Sequence, residues 1–283
     1  MKLNIVPAGT GKLWVRLGIR TFLRQPLAMS GLFFLFMAAI SVLGVIPYAG
    51  SVLYLLPVPA LSLGLMAAAR EAADGRFPHP QVLLMAFRAG PRQTRDMLLL
   101  GALYASAVLL AVTLVALADG GDLAKSQQAL ETINDLMKQS PEVQQAAVPA
   151  MLSHLMRVLS NTLLMLVLYT PISLAFWHAP ALIHWHGVPV VKSLFFSFVA
   201  CIRNIKAFTA FGLYWTAVYF AVTVPLCLLG MLLGSIELAM GLVAPASLLL
   251  MAMFSTSVYF SFRDTFSEEP SEFAQTIESQ EHP

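Results

Sequence analysis

Charge is scarce in this sequence. Lys, Arg, Asp and Glu make up 11% of its 283 residues, where a soluble domain carries about 25%. Mean hydropathy is +0.75. A chain with so few ionised groups cannot cover a folded surface with water-soluble side chains, so this composition belongs in lipid. The net charge of +2 gives no global field to attract nucleic acid, and none is expected as a partner. Cysteine is nearly absent. Cys201 and Cys227 would stand about 39 Å apart on one continuous helix, which excludes a bridge between them, and neither lies in a metal-ligand spacing. GxSxG, HExxH and the Walker A pattern are all missing. No catalytic residue, metal or cofactor is therefore assigned, and the protein is expected not to be an enzyme. Acidic residues are absent between Glu142 and Glu237, so any histidine in that stretch lacks a nearby carboxylate to orient it toward a metal.

What the chain does have is long apolar runs. Stretches of spanning length fall at about Leu27 to Pro47, Gly50 to Ala69, Met97 to Ala118, Leu155 to Trp177, Ala207 to Leu229 and Leu238 to Phe262. They predict an all-α integral membrane protein with six transmembrane helices. The first run lies behind Lys2, Lys12, Arg16, Arg20 and Arg24 and is too long for a cleaved leader, so it is expected to remain as an anchor. Of the 17 Lys and Arg, all but Lys125, Lys138 and Arg157 flank one side of this arrangement. The positive-inside rule then places both termini in the cytoplasm. The insertion 119–150, with Asp119, Asp122, Glu131, Asp135 and Glu142, is placed in the periplasm as one or two short amphipathic helices. Residues 1–266 read as a single membrane domain, and 267–283 as a disordered acidic cytoplasmic tail.

Three cytoplasmic segments resemble one another: "WVRLGIRTFLRQP", "VLLMAFRAGPRQT" and "SLFFSFVACIRNI". Each is apolar and aromatic, and each ends in Arg-Gln or Arg-Asn before an apolar run. Pro59 precedes Gly75, and Pro171 precedes Gly187, by the same interval. The unit predicted is an interfacial amphipathic helix followed by a transmembrane hairpin, repeated at about 12–75, 80–187 and 189–265. An even number of crossings per unit makes the repeats parallel. On the first helix Lys12, Arg16, Arg20 and Arg24 recur every fourth residue, with Trp14, Val15, Ile19 and Phe22 opposite. That pattern predicts cations at lipid headgroups and rings in the acyl boundary. Arg16, Arg20, Arg24, Arg88, Arg92, Arg203 and Lys206 are the candidate contacts to anionic headgroups.

The densest cluster of chemistry is "AFWHAPALIHWHGVP". It carries His178, His184 and His186 with Trp177 and Trp185. On one continuous helix the three histidines point at about 0°, 240° and 80°, so they do not converge. The connector reads as an interfacial crossing, with indoles at headgroup depth, and otherwise as a ligand-binding cluster. His154, Arg157 and Asn161 read as the outer end of the fourth span.

With "LNIVPAGTGKLWVRLGIRTFLRQPLAMSGLFFLFMA" and "FWHAPALIHWHGVPVVKSLFFS" in view, the chain resembles an uncharacterised family of proteobacterial multi-pass inner-membrane proteins. The likeness covers all but the insertion and the tail. It implies an inner-membrane location and no particular activity. The expected role is a membrane scaffold or a lipid- or partner-interacting subunit. Its partners would be the bilayer, anionic headgroups and other membrane proteins. Two alternatives stand beside it. One is a small-solute transporter or channel with a cavity on the pseudo-threefold axis. The other is metal or haem binding at the three histidines.

Overall fold

The structure is a computed structural model that describes residues 2–120, 128, 131–132, 135 and 141–266. Among these residues every regular element is helical. The acidic tail and much of the insertion lie outside them.

Helix α1 (Thr10–Arg24) ends because proline follows at one remove. Pro26 disfavours helical backbone at the residue before it, and Gln25 leaves the helical region at φ −140° and ψ 60°. Pro26 then opens α2 (Pro26–Gly44), where its missing N–H costs nothing. The second apolar stretch differs from expectation. It is not one spanning helix but a short α3 (Gly50–Leu53), a turn, and α4 (Val58–Ala73). Pro57 and Pro59 supply no N–H to the preceding turn, so the helical ladder cannot run through them. Small residues let α4 sink deep into the protein: Ala60, Ala68, Ala69 and Ala72 are buried, as are Leu63 and Met66.

Gly75, at φ 76°, closes α4 in a left-handed conformation open to glycine without strain. A 3-10 turn (Pro80–Leu84), α5 (Met85–Arg88) and α6 (Pro91–Ala118) follow. Helix α7 runs Pro141–Phe176 without interruption. The end of the insertion and the fourth apolar stretch are thus one helix, starting at the proline the sequence marks. Then come α8 (Ala179–His186), α9 (Val190–Arg203), α10 (Ile205–Leu232) and α11 (Ile236–Phe266).

Five helical segments are long and apolar enough to cross a membrane: Pro26–Gly44, Pro91–Ala118, Leu155–His186, Ile205–Leu232 and Glu237–Phe266. Large apolar side chains such as Leu35, Val42, Leu110, Val167, Leu213 and Leu228 stand exposed along them. In water so much exposed apolar surface would aggregate; in a bilayer it is solvated.

The chain divides into two compact units, residues 102–174 and the remainder. The first comprises the far parts of α6 and α7. Ala105, Val108, Ala111 and Val115 form its buried stripe, at the spacing of one helix face. The hydroxyls of Tyr104 and Tyr169 lie 3.1 Å apart, and Arg157 Nη1 donates to Asp119 Oδ1 at 3.4 Å. Arg157 thus has an acidic partner at the end of α6.

In the other unit α11 is the central post, against which α1, α4 and α10 pack. Hydroxyls let it be buried and polar together. Ser257 and Ser261 are inaccessible to solvent and bond back to Phe254 and Val258 carbonyls, which satisfies their protons.

Candidate functional site

All four tryptophans converge on the last turns of α11. Trp215 Nε1 donates to Ser257 Oγ at 3.1 Å, Trp177 Nε1 to Ser261 Oγ at 3.1 Å, and Trp14 Nε1 to Asp264 Oδ2 at 2.9 Å. The acceptors fall at i, i+4 and i+7, one face of the helix. The fourth indole, Trp185, packs on Tyr259 and Phe262, with the Arg70 guanidinium 5.7 Å from its ring centroid. Trp177 and Trp185 are therefore half-buried against protein rings. The amphipathic indole satisfies its N–H equally well on a buried hydroxyl, and α11 provides the hydroxyls.

The histidines are likewise drawn into the protein to different degrees. His178 is wholly buried among the rings of Phe208, Phe262 and Phe266, at 5.4–5.9 Å between centroids. Its backbone N–H donates to Ser197 Oγ, but neither ring nitrogen has a partner among the described residues. His184 is half-buried and His186 exposed. Among the described residues no three His, Cys, Asp or Glu side chains gather into a group that could hold a metal ion. The connector contributes to the protein core: Ala179, Ala181, Leu182 and Ile183 in α8 are all buried. Cys201 is buried too, and burial pushes its thiol up to about 12, leaving it protonated at neutral pH.

An orphaned buried imidazole costs about 1–3 kcal/mol in lost hydration. His178→Leu should therefore raise the thermal unfolding midpoint of the detergent-purified protein. A lowered midpoint would show that the ring is held by a partner and that its nitrogens are used.

Helix α1 organises the remaining candidate residues. Its buried residues are Gly11, Trp14, Val15, Leu17, Gly18, Thr21 and Phe22. Gly11 meets the backbone of Ala207 and Phe211, and Gly18 meets Ser257. Trp14 adds ring contacts to Phe208 at 5.2 Å and Phe211 at 5.9 Å. The expectation that Trp14 and Phe22 sit among acyl chains is thus corrected: α1 keeps these rings for protein, because α10 and α11 offer a tighter fit than lipid.

The amino-terminal arm locks this arrangement. Val6 N–H donates to Asn204 Oδ1 at 2.8 Å, Asn204 Nδ2 donates to Asn4 O at 3.0 Å, and Asn4 N–H donates to Thr265 O at 2.9 Å. Asp264, which also accepts from Arg263 Nε at 2.8 Å, and Asn204, buried to 2%, are the polar hubs that sequence reasoning missed. The repeat pattern marks Asn204 only as a terminal residue, and Asp264 falls at the end of the membrane domain with no pattern to single it out.

The opposite face of α1 is exposed and basic. Lys12, Arg16, Arg20 and Arg24 all face outward. With Val15, Ile19, Leu23 and Tyr214 of α10 they line an open groove of about 600 Å³. Lys12 Nζ lies 5.9 Å from the Tyr214 ring centroid. At the far end Arg24 Nη1 donates to Ala73 O at 3.2 Å, tying the row to α4. Among the described residues no acidic side chain lines this groove.

The other four headgroup candidates are exposed as well, on separate elements. Arg88 ends α5 and donates to Gln81 Oε1 at 2.8 Å, Arg92 opens α6, and Arg203 and Lys206 flank Asn204. Only Arg16, Arg20 and Arg24 among the seven share one groove.

No protein-family model matches the chain, and no solved structure does. A protein of Burkholderia thailandensis described as a probable inner membrane protein is 38% identical over 274 residues, which cover 95% of this chain and 96% of the relative. Identity at that level along nearly both whole chains, together with five helices of spanning length and apolarity, establishes that this chain belongs to that family of bacterial inner-membrane proteins.

Proposed function

We propose that this protein is a non-enzymatic scaffold of the inner membrane that gathers anionic lipid, and through it other membrane proteins, around a basic cytoplasmic collar. The observation that carries this reading is the two-sided build of α1. One face is fixed to α10 and α11 by Trp14, Gly11 and Gly18, so the row Lys12, Arg16, Arg20 and Arg24 points away from the protein. Arg88, Arg92, Arg203 and Lys206 extend the collar at the starts and ends of other helices. Cations at such positions gain about 1 kcal/mol each beside an anionic leaflet.

Six crossings fit this role best, with α3 and α4 together completing the second and both termini cytoplasmic. The distribution of Lys and Arg supports that direction. Three parallel repeats are supported by paired details. Helices α1 and α9 both end in arginine, Arg24 and Arg203, and a single amide residue, Gln25 or Asn204, joins each to a long apolar helix. Gly75 and Gly187 both take the left-handed conformation, at φ 76° and 63°.

The test is extraction into polymer-bounded discs from native membrane, followed by lipid mass spectrometry. Anionic phospholipid should be enriched over the bulk membrane. Replacing Arg16, Arg20 and Arg24 by Glu should abolish the enrichment and weaken insertion or invert the fold. Bulk composition around the wild-type protein would overturn the reading. So would reporter fusions that place residue 130 in the cytosol.

A further inference from the structure

We infer that the groove along α1 is a discrete binding site for a single anionic phospholipid, its phosphodiester held between Lys12 and Arg16 beside Tyr214. The inference rests on the headgroup-binding reading above and narrows it from a collar to a place. Two parallel rows run along the helix. Arg16, Arg20 and Arg24 repeat every fourth residue, and Val15, Ile19 and Leu23 repeat one residue behind them. Residues four apart stack on one face. The groove therefore has a cationic wall and an aliphatic wall side by side, which is the polarity of a lipid at its glycerol: anionic above, hydrocarbon below.

Size and charge agree with this. A space of about 600 Å³ is in the range of small-ligand sites, enough for a phosphoglycerol head and its first acyl carbons. The rest of the chains would lie in the bilayer. Lys12 and Arg16 stand one turn apart on the groove with no carboxylate among the described residues that line it, so a neutral or zwitterionic ligand would leave these two like charges facing one another at helical spacing, which is unfavourable. Arginine binds phosphate by paired N–H groups, lysine as a point charge, and the Tyr214 hydroxyl is a further donor. A soluble phosphate would use the cationic wall alone and leave exposed Leu23 and half-buried Ile19 of the aliphatic row facing water.

The experiment is native mass spectrometry of the full chain released from discs containing phosphatidylglycerol and phosphatidylethanolamine. The wild-type protein should retain one phosphatidylglycerol under activation that strips bulk lipid. Lys12→Gln combined with Arg16→Gln should cut that occupancy about tenfold or more, the loss of a charge-assisted contact. Both side chains are exposed, so folding is preserved, and circular dichroism checks it. Arg76→Gln, at an exposed arginine outside the groove that pairs with Asp74, should leave the adduct intact. Ile19→Asn should weaken retention of phosphatidylglycerol. Soluble dihexanoyl phosphatidylglycerol should displace the adduct, while glycerol phosphate at equal concentration should not.

Equal displacement by glycerol phosphate would make this a soluble-phosphate site and overturn the lipid assignment. A wild-type protein without a discrete adduct, yet enriched in anionic lipid overall, would sink the single site and leave the collar standing. Loss of the enrichment itself would sink the collar.

Discussion

Trp14→Ala should destabilise the protein by about 3–5 kcal/mol, the range for deleting a large buried aromatic. Trp14 is fully buried and fills the space between α1, Phe208 and Phe211. Its indole N–H also occupies Asp264 Oδ2, which loses a donor when the ring is removed. The measurement is unfolding of the purified protein in mild detergent titrated with dodecyl sulfate, followed by circular dichroism. Asp264→Asn is the informative companion. It keeps a carbonyl acceptor for the indole but drops the charge beside Arg263, so it should cost about 1–3 kcal/mol. A Trp14→Ala loss under about 1 kcal/mol would mean that the ring faces lipid, where alanine and tryptophan differ little in packing, and the seating of α1 described here would be wrong.

That seating separates what could be read in the sequence from what could not. Hydropathy located five helices to within a few residues at most boundaries, because lipid exposure demands unbroken apolar runs. It misjudged the second stretch. Pro57 and Pro59 are visible within the stretch predicted as one span, but only packing shows that α4 is a short helix sunk among α1, α8 and α11. The cation period on α1 was legible, since a helix places every fourth residue on one face. The destination of the opposite face was not. An apolar-aromatic face looks the same whether it meets acyl chains or another helix; Gly11 and Gly18 were the signal for a close helix contact, and they went unused. The partner of the connector's indole was not legible either. Tryptophan suits both a headgroup layer and a buried hydroxyl, and the hydroxyl that takes the Trp177 N–H, on Ser261, lies far along the chain. Asp264 could not be found at all by local pattern, because its partner is Trp14 at the other end of the sequence.

Gly18→Val should lift α1 from its seat. A side chain at Gly18 would collide with the Cβ of Ser257 and come within 2.7 Å of its Cα, and neither atom belongs to a flexible tip that could swing aside. Gly11 is as confined, with a Cβ there 2.6 Å from Phe211 N and still closer to Ala207 O. Ordinary overpacking costs about 1–3 kcal/mol; contact with backbone leaves less room to relax, and the two substitutions together act on one rigid helix. The expected result for Gly11→Val with Gly18→Val is release of α1, read as rapid tryptic cleavage at Arg16, Arg20 and Arg24 where the wild-type chain resists. Gly31→Val and Gly212→Val are the controls: both glycines lie in helices with nothing within 4 Å of an added Cβ, so tryptic resistance should persist. Retained resistance in the double variant would sink the packing argument. The same experiment reaches function, because the cationic row is held outward only while the opposite face is fixed. A released α1 keeps every cation it had, so loss of anionic-lipid enrichment in that variant would show that orientation, and not charge alone, makes the groove.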